Sequence, residues 1–298
     1  MTQPTISTVT NHFSLLGEGP VWDAKRNCIC WVDILNGEIH QFFVGLNNLR
    51  TCKVDQLIGA VALCKNNVFL AALKNGFAFI DRESGAIKMI VNPEEHLVNN
   101  RFNDGKCDPA GRFWASTMSL SENPAAGSVY CLDNALVITQ KITNTTIPNG
   151  MAWSLNSKIF YFVDTPTYEV VAYDYDKNTG CINNKRTIIK IAKDDGFPDG
   201  MTTDSEGMLW IAHWDGWQLT RWNPDTGEKV FTIKLPVAKV TSCTFGGENL
   251  EDLYITSAKT GLNEKELKNQ PLAGSLFLIK NCGFKGCPTV TFNSLISY

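Results

Sequence analysis

The sequence predicts an all-β fold of six similar units arranged around an axis, and two observations carry this prediction. First, short motifs followed by β-rich runs recur along the chain, roughly 40 to 50 residues apart. Second, the runs between them are short, rich in β-branched and aromatic residues, and bounded by Asn, Asp and Gly. The recurring motifs start near residues 18, 59, 103, 149, 199 and 241.

Four of the six motifs pair a polar residue with glycine: Glu18-Gly19, Asn103-Asp104-Gly105, Asn149-Gly150 and Asp199-Gly200. Each has an Asp or Ser five residues after its polar start, followed by a turn and a β-rich run. Two weaker copies start at Gly59 and Thr241. Units of this length hold four strands each, so we predict a six-bladed β-propeller that forms one domain over residues 1–298.

A pair of β-sandwiches is the alternative architecture. The six-fold period and the lack of a Pro/Ser-rich linker argue against it. Only Glu264–Lys268 and Pro93–Leu97 have a helical pattern, and both are short.

The composition is that of a soluble globular protein, with 44% hydrophobic and 19% charged residues. A net charge of −3 gives no reason to expect nucleic acid or an anionic membrane as partner. No apolar run is long enough to span a membrane, and the N-terminus does not have the pattern of a signal peptide. The ten scattered cysteines are expected to be free, mostly buried thiols. We therefore expect a cytoplasmic protein.

The polar-glycine motifs predict a metal site. In a propeller the first strand of each blade lines the central channel, so the residues that start these strands meet at one mouth. The carboxylates of Glu18 and Asp199 would there join amide oxygens of Asn103 and Asn149. Oxygen ligands suit a hard divalent cation, which also relieves the repulsion between two carboxylates. We expect Ca²⁺, and the same ligands could accept Zn²⁺, Mn²⁺, Mg²⁺ or Fe²⁺.

The second strand of each blade returns to the same mouth, which adds candidates with open roles. Asp33 and Asp164 end second strands and either cap turns or face the site. His213 either contacts substrate or packs. Asp104 either supports the metal ligands from behind or holds a weak additional ion.

Four segments carry a resemblance to a known family: Gly17–Trp22, Asn99–Lys106, Asn149–Ser154 and Pro198–Met201. In this order they resemble the regucalcin (senescence marker protein)/gluconolactonase/luciferin-regenerating-enzyme family, and the likeness runs over most of the chain. Residues 260–267, followed by the Pro-Leu-Ala-Gly of 271–274, are most similar to the bacterial sugar lactonases of that family.

The resemblance implies a six-bladed propeller with one catalytic divalent metal in the channel. It implies Glu18, Asn149 and Asp199 as metal ligands, and Arg101 and Asn103 as substrate contacts. Some family members carry a substrate-contacting Glu in the loop after the Thr-Met pair, and Glu122 is the candidate here. The implied activity belongs to carbohydrate metabolism. It is the hydrolysis of an aldonolactone, such as glucono-, xylono- or arabinonolactone, to the aldonic acid.

As a hypothesis for the mechanism, Asp199 acts as general base on the attacking water. The expected partner is a small-molecule sugar lactone, with neither nucleic acid nor membrane involved. Two other functions stay open. One is a different lactone, ester or phosphotriester hydrolase on the same scaffold, and the other is a non-enzymatic calcium-binding propeller.

Overall fold

Six four-stranded antiparallel sheets make up the part of the chain that the computed structural model describes, residues 4–293. The first strand, β1, is Ser7–Thr8. Blade 1 contains β2 (Gly17–Asp23), β3 (Cys28–Asp33), β4 (Glu38–Phe43) and β5 (Asn48–Lys53). Blade 2 contains β6 (Ile58–Leu63), β7 (Val68–Leu73), β8 (Gly76–Asp81) and β9 (Ile87–Val91). Blade 3 contains β10 (Asn100–Cys107), β11 (Phe113–Ser119), β12 (Gly127–Leu132) and β13 (Ile138–Thr145).

The second half of the chain continues in the same way. Blade 4 contains β14 (Pro148–Trp153), β15 (Ile159–Asp164), β16 (Glu169–Asp176) and β17 (Cys181–Lys190). Blade 5 contains β18 (Phe197–Thr203), β19 (Leu209–Trp214), β20 (Gln218–Asn223) and β21 (Glu228–Lys234). Blade 6 contains β22 (Val240–Gly246), β23 (Asp252–Ser257) and β24 (Phe277–Ile279), and β1 completes it.

Helical structure is sparse among residues 4–293. One α-helix, α1, spans Glu264–Asn269, as its sequence predicts, and Asn263 and Glu266 form a capping box at its start. Short 3₁₀ turns lie at Val44–Leu46, Thr165–Thr167 and Lys193–Asp195. The helix expected over 93–97 is wrong: residues 93–96 form turns, in which the side chain of Asn92 accepts a hydrogen bond from the Glu94 N–H.

The innermost strands β2, β6, β10, β14, β18 and β22 contact one another in ring order, and β22 returns to β2. The fold is therefore a six-bladed β-propeller, as predicted, and the six predicted repeat starts fall at or inside these strands. The ring closes through β1, whose Ser7 and Thr8 pair with Leu278 and Phe277 of β24. The sixth repeat thus supplies only three strands of its own blade, and the N-terminal segment supplies the outermost one.

The core is divided among the blade interfaces. Each of six apolar clusters joins side chains of two adjacent blades. Middle strands such as β7 and β11 are buried along their whole length, because each of their faces meets a neighbouring blade. The buried faces hold the blades in place around the channel, which positions the ends of the innermost strands.

Candidate functional site

Each of the six innermost strands has a shift in its pairing register with the second strand of its blade. In every blade this shift lies at the start of the repeat. In β2 the shift lies between Glu18 and Val21, and in β14 it lies between Asn149 and Met151. A β-bulge adds an unpaired residue and changes the direction of the side chains beside it. At the four polar-glycine motifs these bulges bring polar side chains to the end of the channel.

The predicted metal ligands are buried together at this mouth. Glu18, Asn149 and Asp199 are each only 5–6% exposed. The carboxyl groups of Glu18 and Asp199 are within hydrogen-bonding reach of each other, and the Gly19 N–H donates to Glu18 Oε2 over 2.7 Å. The structure therefore brings the two carboxyl groups together, and the role of the three residues as metal ligands stays a prediction.

Burial removes the two carboxyl groups from water, and their surroundings do not fully offset this loss. Burial, followed by the negative charge of Asp104, raises the pKa of Glu18 to about 8. Burial, followed by the charges of Glu18 and Asp104, raises the pKa of Asp199 well above its ordinary value. Without a cation, the pair therefore retains a proton near neutral pH.

The side chain of Asn149 is held by Thr165, a residue that the sequence interpretation missed. Asn149 Nδ2 donates to Thr165 Oγ1 over 2.9 Å, and Thr165 Oγ1 donates to the Pro198 carbonyl over 2.8 Å. Asn149 Oδ1 accepts one hydrogen bond, from Asn103 Nδ2 at 3.0 Å. An amide oxygen has two lone pairs, so Oδ1 keeps one for a cation. Its position in the sequence could have indicated this role, because Thr165 directly follows the end of β15.

Arg101 places a positive charge beside the carboxyl pair. Its Nη1 donates to Asn103 Oδ1 at 2.8 Å and to the Phe102 carbonyl at 2.9 Å. Burial lowers the pKa of Arg101 to about 10, while the charges of Glu18, Glu122 and Asp199 oppose that shift. The guanidinium is therefore protonated at neutral pH and interacts electrostatically with the carboxyl groups of Glu18 and Asp199.

Asn103 links Arg101 to the metal-ligand candidates. Its Oδ1 accepts from Arg101, and its Nδ2 donates to the Pro148 carbonyl and to Asn149 Oδ1, both at 3.0 Å. The substrate contact expected of Asn103 stays a prediction, because these partners already engage both ends of its amide.

Glu122 lies apart from the buried set, in the exposed loop between β11 and β12. Its φ of 53° places it in the left-handed region. The charge of Glu122 is nevertheless among those that raise the pKa of Arg101. The structure thus puts this carboxylate near Arg101 at the entrance, and its predicted contact with substrate stays a prediction.

Asp104 and Lys106 follow Asn103 on β10. Both line a cavity of about 270 Å³ in the channel. The charge of Asp104 raises the pKa of both Glu18 and Asp199, which fits a supporting position. The ammonium of Lys106 donates to the Met201 carbonyl, and it feels the negative charges of Asp104 and Glu18. The sequence interpretation did not single out Lys106, although it lies two residues from Asp104 on the same strand.

The ends of the second strands have structural roles. Asp33 accepts the backbone N–H groups of Leu15 and Leu16, and Asp164 does the same for Thr146 and Ile147. These carboxylates therefore fix the segments that enter β2 and β14.

His213 packs inside blade 5. It is fully buried, its Nε2 lies 2.6 Å from Thr220 Oγ1, and burial lowers its pKa to about 4. The structure thus favours packing over substrate contact for this residue.

The ligand set fits a hard divalent cation. Glu18, Asn149 and Asp199 offer only oxygen atoms, and the pKa values of the two carboxyl groups are raised by burial first and by neighbouring carboxyl groups second. A divalent cation would displace the retained proton and neutralise both groups.

A family model described as "SMP-30/Gluconolactonase/LRE-like region" matches residues 16–259. The chain belongs to this family. Regucalcin of Gallus gallus is 39% identical over 282 residues, which cover 93% of this chain and 94% of the relative. The resemblance predicted from the four segments is confirmed.

Solved structures agree with this family membership. A luciferin-regenerating enzyme superimposes with a TM-score of 0.91 and 32% identity, covering 97% of this chain and 99% of that one. A regucalcin of Agrobacterium tumefaciens, described as a calcium-binding protein, superimposes with a TM-score of 0.92 and 26% identity, covering 97% of both chains.

The ten cysteines of this family member are all free. Within residues 4–293, no helix combines the length and the hydropathy needed to cross a membrane.

Proposed function

We propose that this chain is a divalent-metal-dependent lactonase that hydrolyses an aldonolactone to the aldonic acid. The observation that carries the proposal is the buried pair Glu18 and Asp199, with raised pKa values, beside the Arg101 guanidinium at the start of the innermost strands. The chain belongs to a family whose description includes gluconolactonase, and this supports lactone hydrolysis as the reaction class. The description of the Agrobacterium relative as calcium-binding supports Ca²⁺ as the first candidate, with Zn²⁺, Mn²⁺, Mg²⁺ and Fe²⁺ as alternatives.

Glu18, Asn149 and Asp199 would hold the cation. Two carboxylates and one amide oxygen leave coordination positions open for water and substrate. When bound, a divalent cation acts as a Lewis acid toward a carbonyl group and lowers the pKa of water.

The chain's own residues account for proton transfer and orientation. Asp199 is the proposed general base, which takes a proton from the water that attacks the lactone carbonyl carbon. The ring C–O bond then breaks, and the ring oxygen takes a proton to become the hydroxyl of the aldonic acid. Arg101 donates hydrogen bonds to hydroxyl oxygens of the sugar and holds the lactone in place. Asn103 holds Arg101 in place, and Glu122 at the entrance would accept a hydrogen bond from a sugar hydroxyl.

The test is a substrate panel with metal control. Glucono-, xylono- and arabinonolactone are incubated with the protein, and acid release is measured above spontaneous hydrolysis. We expect hydrolysis of at least one lactone, its loss after chelation, and its recovery with Ca²⁺ or another listed cation. Glu18→Gln should lose activity, whereas Glu95→Gln, an exposed carboxylate, should keep it.

Several outcomes would contradict the proposal. Hydrolysis that survives complete chelation would remove the metal requirement. Activity on phosphotriesters or apolar esters with none on the three lactones would favour the other hydrolase class, and metal binding without any hydrolysis would favour a calcium-binding propeller.

The proposed setting is cytoplasmic carbohydrate metabolism, with a small sugar lactone as partner and neither nucleic acid nor membrane involved. Ten free cysteines suit a reducing compartment.

A further inference from the structure

A second group of metal-ligand side chains lies where the N-terminal segment crosses from β1 in blade 6 to β2 in blade 1. His12 lies on this crossover, Asp33 ends β3, and Glu38 and His40 belong to β4. One potential ligand atom from each of the four lies within 4.8 Å of the others. None of these side chains belongs to the candidate site at the channel mouth.

Each of the two imidazole rings carries a buried nitrogen atom that makes no hydrogen bond. His40 is fully buried, its ring centre is 4.2 Å from that of His12, and the Nε2 atoms of both rings make no hydrogen bond. An unsatisfied buried polar atom is costly, so two of them side by side call for an explanation. Packing of the rings accounts for their contact but leaves both nitrogen atoms without a hydrogen bond.

The ring of His40 is oriented for ligation. Its Nδ1 lies 2.9 Å from Thr51 Oγ1, and its Nε2 lies 3.5 Å from Glu38 Oε2. A hydrogen bond through one ring nitrogen fixes the tautomer and directs the other nitrogen at a metal in many protein sites. Complete burial favours the neutral ring over an ion pair with Glu38.

Asp33 has a different task within the group. Its Oδ2 accepts from the Leu15 N–H at 2.7 Å and from Asn36 Nδ2 at 2.8 Å, and its Oδ1 accepts from the Leu16 N–H at 3.1 Å. These bonds anchor the end of the crossover and occupy most of the carboxylate's accepting capacity. His12, Glu38 and His40 remain available as metal ligands.

We propose that His12, Glu38 and His40 bind a transition-metal dication of the Zn²⁺ class. Two imidazole nitrogens and one carboxylate oxygen are ligands that Zn²⁺ prefers, in contrast to the oxygen-only set at the channel mouth. Tetrahedral Zn²⁺ needs ligand atoms roughly 3.4 Å apart, so closing from the observed limit of 4.8 Å takes a small side-chain movement. His12 also lines an open surface groove with Thr8 and Leu49, which gives the ion a path from solvent.

A metal here would tie the crossover to blade 1. Because the crossover leads directly to the two-residue strand β1 that closes the ring, the bound ion would restrain the closure. We therefore expect Zn²⁺ to stabilise the fold independently of the channel site.

The test uses Zn²⁺ itself on the metal-stripped protein, read by binding stoichiometry and by melting temperature. We expect one Zn²⁺ per chain that Glu18→Gln does not remove and a rise in Tm of roughly 5 °C at saturation. In the Glu18→Gln background, His12→Ala should lose this equivalent together with the Tm rise. His96→Ala is the matched control, since His96 is exposed on a loop, and it should keep both.

A second variant and a spectroscopic measurement keep the test decisive if His12→Ala does not fold. Glu38→Gln should weaken the same equivalent, and X-ray absorption of the Zn²⁺-loaded Glu18→Gln protein should show scattering from two imidazoles. The channel candidates contain no histidine, so imidazole ligation reports only the crossover site. Zn²⁺ binding and Tm that are unchanged by both His12→Ala and Glu38→Gln, or a spectrum with oxygen ligands alone, would overturn the proposal.

Discussion

At the residue scale, the channel mouth concentrates charges that are almost removed from water. Glu18, Arg101 and Asp199 are each no more than 8% exposed. Such burial is costly unless charges are paired or bound to a metal. The raised pKa values of the two carboxyl groups are the visible result of that cost.

Asp199→Asn and Arg101→Ala should affect catalysis differently. Loss of the proposed base should lower kcat by about 10²-fold or more, whereas loss of the guanidinium should mainly raise KM. Steady-state kinetics on the best lactone, with bound metal measured in parallel, tests both effects. Asp225→Asn, at an exposed turn, is the control. Near-normal kcat in metal-loaded Asp199→Asn protein would show that Asp199 is not the base.

The metal-free protein should lose stability as the pH rises from about 5 to 8. Burial raises the pKa of Glu18 from its ordinary 4.5 to about 8, so the folded chain keeps a proton that the unfolded chain has already released. The free energy of unfolding then falls with rising pH, by about 1.4 kcal/mol per pH unit for each such proton. Thermal unfolding in chelator at several pH values measures this slope, and Glu18→Gln should flatten it. An equal slope in wild type and variant would contradict the shift.

At the element scale, a buried aspartate at the far end of the first strand organises two of the blades. Asp108 accepts from Trp114 Nε1 and Arg112 Nε. Asp204 accepts from Trp210 Nε1 at 2.9 Å and from Arg221 Nε at 2.7 Å. These are the aspartates that follow the polar start of the motif by five residues, so this part of the repeat holds the blade together rather than forming the site.

Asp204→Ala should destabilise the fold strongly. The substitution leaves the Arg221 guanidinium buried with only Glu206 as an ionic partner, and breaking a buried pair in this way costs about 3–5 kcal/mol. Chemical denaturation measures the loss. Ser154→Ala is the matched control from blade 4, where the side chain serves only its local turn, and it should cost less than about 1.5 kcal/mol. Equal losses in the two variants would contradict the role given to Asp204.

At the scale of the whole molecule, both ends of the described chain hold the ring together. The N-terminal β1 completes blade 6. The C-terminal segment 285–293 hydrogen bonds in turn to Ser205, Leu250, Leu63 and Gly111, and so connects blades on different sides of the channel. Within this segment, Phe292 is fully buried in the cluster between blades 2 and 3.

Phe292→Ala should destabilise the propeller by about 3–5 kcal/mol, because it opens a cavity between two blades. The control is Val290→Ala in the same segment, whose side chain is 40% exposed and should cost less than about 1 kcal/mol. Denaturant titration compares the two. Since Phe292 lies outside the channel-mouth site, the metal affinity of folded Phe292→Ala protein should equal that of wild type, and a loss of affinity would contradict this separation.

The six strand starts and the polar residues beside them could be read from the sequence, because turn dipeptides and β-rich runs are local signals. The resemblance to the family rested on those same short segments. The helix at 264–269 was also predictable, since its capping residues lie within the segment itself.

Other features of the structure leave no recognisable pattern among neighbouring residues of the sequence. Thr165 and Lys106 reach the site because strands from different blades converge, which only packing decides. The closing strand β1 pairs with a partner at the other end of the chain, and its two residues are too short to register as a strand pattern. The burial that raises the pKa of Glu18 likewise depends on all the blades around it.

The sequence by itself therefore determined the repeat, the fold class, the family and the oxygen-bearing residues at the strand starts, because each depends on residues close together along the chain. The tertiary structure decided how the ring closes, which side chains orient the metal candidates and which charges lose their water. It also decided that His12 meets His40 across the crossover. These outcomes follow from contacts between distant parts of the chain, whose geometry is set only when the ring is complete.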